Sequence, residues 1–272
     1  MSAVCERAPA KVNLYLEVLH RRGDGYHELE TVFQTIDLCD RVTVSLRADE
    51  QLTLRCDDPS LPADQRNLAW RAAQRYREAA GLRAGVDIVL EKRIPAGAGL
   101  GGGSADAAAV LRALERLGGR PLGRERLREL AAELGSDVPF CLEGGTAHAT
   151  GRGERLQPLP PLPPLPLTVL LPEGAACATP AVYAALSEEE RGPRPARGWP
   201  WFAARLAEPE RWLHNRLTAA ACRVCPALDG LLAWLAERGA AHCLTGSGAA
   251  CIAFGHLAPP AGVRAWFCHC CA

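Results

Sequence analysis

The chain has no net charge: its 31 Lys and Arg residues are balanced by 31 Asp and Glu residues. It therefore lacks the basic field that neutralises the phosphates of a nucleic acid, and it lacks a polybasic patch for an anionic membrane. Long apolar runs are also missing. Each apolar stretch is short and broken by Pro, Gly or a charge, so none reads as a transmembrane helix. No h-region precedes Glu6, Arg7 and Lys11, so a signal or transit peptide is not expected, and a cytoplasmic location is. No internal repeat is apparent. What remains is ordinary globular material, 48% apolar and 23% charged over 272 residues, enough for one large domain or two small ones.

Twelve cysteines stand against that plain background. Six sit among apolar neighbours (Cys39, Cys56, Cys141, Cys177, Cys243, Cys251), as buried thiols acting as small hydrophobes do. Zinc is the alternative, from Cys222-x-x-Cys225 and the tail Cys268-His269-Cys270-Cys271. A structural zinc site takes two spaced ligand pairs, and adjacent Cys270 and Cys271 make poor tetrahedral partners. The tail thiols are expected to be exposed and oxidisable.

Alternating segments at 9–20, 41–47, 51–56 and 85–94 read as strands, the first two separated by a turn over 21–28. Asn67 and Gly81 bracket one helix; others are expected over 104–117, 124–134 and 226–238. Residues 156–167 hold six prolines and no charge, which suggests a stiff linker or edge strand, with an SH3-type ligand as the alternative. The Pro-, Arg- and Glu-rich stretch 188–212 is expected to be a surface excursion. Strands and helices mix without strict alternation, so the expected class is α+β with mixed and antiparallel sheets. The expected domains are 1–155 and 156–272.

The sharpest signal is Pro95-Ala96-Gly97-Ala98-Gly99-Leu100-Gly101-Gly102-Gly103-Ser104-Ala105, which runs from a strand into an Ala-rich helix. Five glycines in seven positions let a ligand approach the backbone, and the helix N-terminus presents N–H groups to an anion. Ser104 is placed to cap the helix or to touch a phosphate-bound metal. A dinucleotide fold would need a second strand ending in an acid about 20 residues later, but residues 117–125 (LGGRPLGRE) read as loop. No Lys-Ser or Lys-Thr follows the glycines, which excludes Walker A, and protein-kinase HRD and DFG elements are lacking.

The run 95–108 (PAGAGLGGGSADAA) resembles the second motif of the GHMP kinases, a family of small-molecule kinases. APAKVNLYL (8–16) and LTGSGAACIAF (244–254) resemble its first and third. Residues 8–40 and 134–154 are similar to the branch that phosphorylates a cytidine diphosphate ester in the non-mevalonate isoprenoid pathway. The resemblance implies a two-domain GHMP fold with its active site in the cleft between domains. ATP with Mg2+ would lie on residues 95–105, with Ser104 as a metal contact. Lys11 and Asp137 would be catalytic, Asp137 accepting the hydroxyl proton and Lys11 keeping it ionised and stabilising developing charge. Asn13, Tyr26, His27, Thr179 and Tyr183 would bind substrate, Tyr26 stacking on the cytosine and His27 reading its edge. The plainer alternatives are a helix or turn cap for Asp137, an exposed edge-strand position for Lys11, and turn packing for Tyr26 and His27. The family usually shows two serines after the glycines, where this chain has Ser104 and Ala105. Asp106 would repel phosphates unless it faces away or meets magnesium. The expected protein is a monomer or weak homodimer with a small-molecule substrate and no nucleic-acid or membrane partner. Two alternatives remain: a nucleotide-binding protein without catalysis, and a homoserine- or mevalonate-type kinase.

Overall fold

A computed structural model describes residues 2–119, 121–191 and 195–271. Gly192, Pro193 and Arg194, within the stretch expected to be a surface excursion, lie outside the described residues. Two compact units interleave along the chain. The first takes the residues up to Ala10, Leu38–Pro95 and Gly101–Glu143; the second takes Lys11–Asp37, Ala96–Leu100 and the residues from Gly144 onward.

Two long strands, β1 (Ala3–Arg21) and β2 (His27–Arg47), are each shared by both units. The first unit adds β3 (Leu52–Cys56), α1 (Leu68–Ala80), β4 (Gly85–Glu91), α2 (Gly102–Leu117), α3 (Arg124–Leu134) and α4 (Val138–Glu143). In β4 the alternation is direct, with Val86, Ile88 and Leu90 buried. This strand lies antiparallel to the end of β2, Arg41 opposite Glu91, and parallel to β3, Leu52 opposite Val86. Asn67 caps α1 by accepting from the Ala69 amide at 3.0 Å, and Gly81 ends it in the left-handed region. The buried face of α1 (Ala69, Ala72, Ala73, Tyr76) packs on α2, which presents Ala105, Ala107–Ala109 and Ala113. Small residues on both helices allow close approach. The Tyr76 hydroxyl, inside that contact, donates to Glu115 at 2.8 Å.

The second unit holds β5 (Thr146–Gly151), β6 (Arg155–Pro158), β7 (Pro166–Pro172), α5 (Thr179–Ala184), α6 (Trp199–Ala203), β8 (His214–Asn215), α7 (Thr218–Val224), α8 (Ala227–Glu237), β9 (His242–Leu244), β10 (Cys251–Phe254) and β11 (Val263–Cys271). Strand β7 runs between β10 and β11, antiparallel to both, and β9 lies beyond β10. Strand β5 pairs antiparallel with β2 and β6, while β8 is parallel to β1 with Tyr15 opposite His214. Mixed sheets with packed helices make this an α+β architecture.

Two expectations need correction. The Cys268–Cys271 tail is not a loose thiol cluster: it forms the end of β11, paired with β7 and β2, and Cys268 and Cys270 are buried. Stretch 188–212 is not wholly a surface excursion either. Phe202 and Trp212 are buried and pack edge-on with ring centroids 5.5 Å apart, and Phe202 reaches Tyr15 at 5.0 Å. Burying such large rings offsets the entropy cost of ordering a polar, proline-rich segment. Among the described residues no helix is long and apolar enough to cross a membrane.

Candidate active site

The glycine loop alternates in backbone hand. Gly97, Gly99 and Gly101 have φ of 68°, 79° and 71°, while Ala98 and Leu100 between them are buried. Positive φ at three alternate positions is cheap only for glycine. Gly101 is the N-cap of α2 and no side chain caps that helix, so Ser104 sits within the first turn rather than at the cap. The first-turn amides therefore have no side-chain acceptor, and the helix dipole adds partial positive charge there. Within the second unit the middle of the loop is held by backbone: the Lys11 amide donates to Leu100 O at 3.0 Å and the Ala250 amide to Ala98 O at 3.1 Å. Any side chain at Gly99 would drive its Cβ into the Thr245 carbonyl.

The first and third motifs meet in the second unit. Lys11 is buried in β1, not exposed, and its Nζ donates to Asn13 Oδ1 at 2.9 Å and lies 5.3 Å from the Phe33 ring centroid. Asn13 Oδ1 also accepts from the Gly246 amide at 3.0 Å, and Asn13 Nδ2 donates to Thr31 Oγ1 at 2.7 Å. The Asn13 amide donates to Thr245 Oγ1 at 2.9 Å. Asn13 thus orients the Lys11 ammonium and ties it to the third-motif turn. Asn215 supports that turn from behind, its Nδ2 donating to Leu244 O and Gly246 O, each at 2.8 Å. At α5, Thr179 Oγ1 lies 2.8 Å from Ser247 Oγ of the same turn.

Asp137, in the first unit, immediately precedes α4, and its carbonyl accepts from the Cys141 amide at 3.0 Å. The residue is half-buried. Asp106 behaves differently. Its carboxylate is buried, pairs with Lys92 Nζ and faces Asp40, and burial first of all holds its pKa well above the usual carboxylate range.

The turn between β1 and β2 displays an aromatic pair. Asp24 accepts from the Tyr26 amide at 3.1 Å, Arg22 pairs with Glu28 at 2.5 Å, and Glu28 accepts from the Gly151 amide at 2.9 Å. That scaffold leaves Tyr26 55% exposed, with the Arg152 guanidinium 4.9 Å from its ring centroid. The His27 ring stacks on Tyr183 of α5 at 5.1 Å and 27°. Burial, then the charges of Arg191 and Arg21, push the imidazole pKa down, which favours the neutral ring. His27 Nε2 is buried and has no hydrogen-bond partner among the described residues. A buried polar atom without a partner is costly, and a ligand edge would satisfy it. Arg152, Thr245 and Asn215 were not among the expected site residues. Thr245 lay inside the motif LTGSGAACIAF and Arg152 inside the segment 134–154, and both could have been singled out there; Asn215 lay in neither.

A family model described as the GHMP kinases N terminal domain matches residues 67–145. The 4-diphosphocytidyl-2-C-methyl-D-erythritol kinase of Bacillus licheniformis is 48% identical over 69% of this chain and 64% of its own length, so the match spans under two thirds of that relative. A protein of the same name from Synechococcus sp. (strain CC9902) is 41% identical, over 96% of this chain and 95% of its own length. A crystal structure of 4-(cytidine 5'-diphospho)-2C-methyl-D-erythritol kinase matches with a TM-score of 0.82 and 41% identity, covering 98% of this chain and 99% of that one.

Proposed function

The chain belongs to the GHMP kinase family, grouped with the 4-diphosphocytidyl-2-C-methyl-D-erythritol kinases, and on that premise we propose that it phosphorylates the 2-hydroxyl of that cytidine diphosphate ester with ATP. The observation that carries the proposal is the alternating-hand glycine loop running into the uncapped N-terminus of α2. Its amides suit an oligophosphate. The ATP phosphates would lie along residues 95–105. Asp137 takes the proton of the acceptor hydroxyl as the new O–P bond forms and the bond to the β-phosphate oxygen breaks. Lys11, aimed by Asn13, stabilises charge growing on the transferred group.

At the acceptor end, Tyr26 offers a ring face to the cytosine, and the orphaned His27 Nε2 meets its hydrogen-bonding edge. A homoserine- or mevalonate-type kinase has no use for such a pair. Thr179 and Tyr183 of α5 line the same subsite, and Asn13 acts beside Lys11. The residues suit a metal carried by the nucleotide. Among the described residues no group of three or more His, Cys, Asp or Glu could hold an ion, and Asp106 is turned to Lys92, which leaves Ser104 as one hydroxyl ligand. Bound there, Mg2+ would neutralise β- and γ-phosphate charge.

Asp137→Asn tests the proton-transfer role. It should leave ATP and ester affinities intact while kcat falls roughly 10²–10⁴-fold, the range for a lost general base. Retention of more than half the activity removes Asp137 from proton transfer.

A further inference from the structure

Outside the residues given a role so far, the first unit buries three charges together. Lys92, just past β4, contacts both Asp40 Oδ2 and Asp106 Oδ2, and all three side chains are at most 7% exposed. Asp40, on β2, is fully engaged on its other side: Oδ1 accepts from the Arg93 amide at 2.5 Å and the Ile94 amide at 2.9 Å. Arg93 and Ile94 are the last two residues before Pro95, where the glycine loop begins. Asp106 lies in the opening turns of α2, where the loop ends. The contact is reinforced by packing, since a Cβ on Gly102 would sit 3.1 Å from Ile94 Cγ2.

We propose that Asp40, Lys92 and Asp106 are positioning residues that clamp the two roots of the glycine loop together and thereby set its affinity for ATP. The proposal rests on ATP binding at that loop. Burying three charges is a poor way to gain stability, because their desolvation offsets most of the attraction, and well-packed apolar residues would serve as well. What the cluster supplies is geometry. One ammonium joins the residues before the loop to the helix after it, and one carboxylate fixes the two amides that lead in. The loop itself, built on glycines, has little stiffness of its own. Fixing its ends prepays the ordering that phosphate binding requires. Among the described residues Asp106 Oδ1 is buried without a hydrogen-bond partner, so the Lys92 contact on Oδ2 is what holds the carboxylate.

The test is calorimetric titration of the full chain with ATP, beside KM for the cytidine ester. Asp106→Ala cuts the link on the helix side and leaves the Lys92–Asp40 pair neutral. It should raise the ATP Kd about tenfold or more while ester KM moves less than twofold, since misplaced binding groups are costly. Asp106→Asn keeps an acceptor for Lys92 and should restore ATP affinity to within about threefold of wild type, as expected when one hydrogen bond replaces a charged one. Asp40→Asn/Lys92→Met/Asp106→Leu removes all three groups of the cluster without leaving a buried unpaired charge, and the new amide oxygen can still accept from the Arg93 and Ile94 amides. It should fold and show the same selective loss, which keeps the test decisive if Asp106→Ala unfolds. Wild-type ATP affinity in Asp106→Ala or in the triple variant overturns the clamp alone. Equal losses for ATP and ester also overturn it, because that pattern marks a general structural role. A wild-type chain that binds no ATP overturns the kinase proposal, and the clamp with it.

Discussion

Tyr26→Ala separates recognition from stability, because the ring is 55% exposed. Little core is lost. The main contact removed is the Arg152 cation over the ring, and an exposed pair of this kind contributes about 0.5–1 kcal/mol. For a chain of this size that corresponds to a fall in Tm of only about 2–4 °C. Loss of a base-stacking face costs more, about 1–3 kcal/mol per base in single-strand binders. Ester KM should therefore rise roughly 5- to 150-fold, with Tm nearly unchanged. Tyr26→Phe keeps the ring face and should stay close to wild type. His27→Ala should raise ester KM as well, since it removes the edge contact and the stack on Tyr183. In a coupled assay of ADP release, ATP KM should be indifferent to all three. An unchanged ester KM in Tyr26→Ala, or a shift in ATP KM instead, would refute cytosine recognition by this turn.

Two further outcomes concern the scaffold. Gly99→Ala places a Cβ against the Thr245 carbonyl at φ of 79°, so it should cost at least about 1–2 kcal/mol, seen as a lower urea midpoint at constant m, with ATP binding lost alongside. Glu17 is buried in β1, where burial alone would raise its pKa, but hydrogen bonds from His214 and Arg216 outweigh that and hold it at about 2. Its contribution is then complete above about pH 4.5 and drains away as pH falls toward 2, by up to about 3 kcal/mol. Glu17→Gln should flatten that acid limb in pH-dependent denaturant melts; an unchanged slope would show that another carboxylate governs it.

Local chemistry explains which parts of the fold were legible. Helix α1 was bracketed by Asn67 and Gly81, whose capping roles depend only on neighbours in sequence, and α3 matches its expected span. Helix α2 starts at Gly102, two residues before the expected Ser104, because a glycine in the left-handed region can cap without a side chain. Strand β11 was missed: its cysteines drew attention as possible ligands, while the alternation that buries Cys268 and Cys270 went unread. The motif residues were legible as a set, but their roles were not. Asn13 is tied to Gly246, and Lys92 to Asp40 across 52 positions; distant pairings of this kind are decided by tertiary packing. Asp106 shows the boundary well. Sequence alone could say that it must face away from phosphates or meet a metal, and the fold supplies the answer by turning it toward Lys92.

The central claim is the identity of the acceptor. Purified chain, ATP and Mg2+ should be incubated in parallel with 4-diphosphocytidyl-2-C-methyl-D-erythritol, homoserine and mevalonate, and each product followed by phosphorus NMR. The account predicts a new phosphomonoester on the 2-hydroxyl of the cytidine ester, stoichiometric with ADP, and none on the two small acids. Phosphorylation of homoserine or mevalonate in preference to the ester would contradict it, as would ATP binding with no transfer to any of the three.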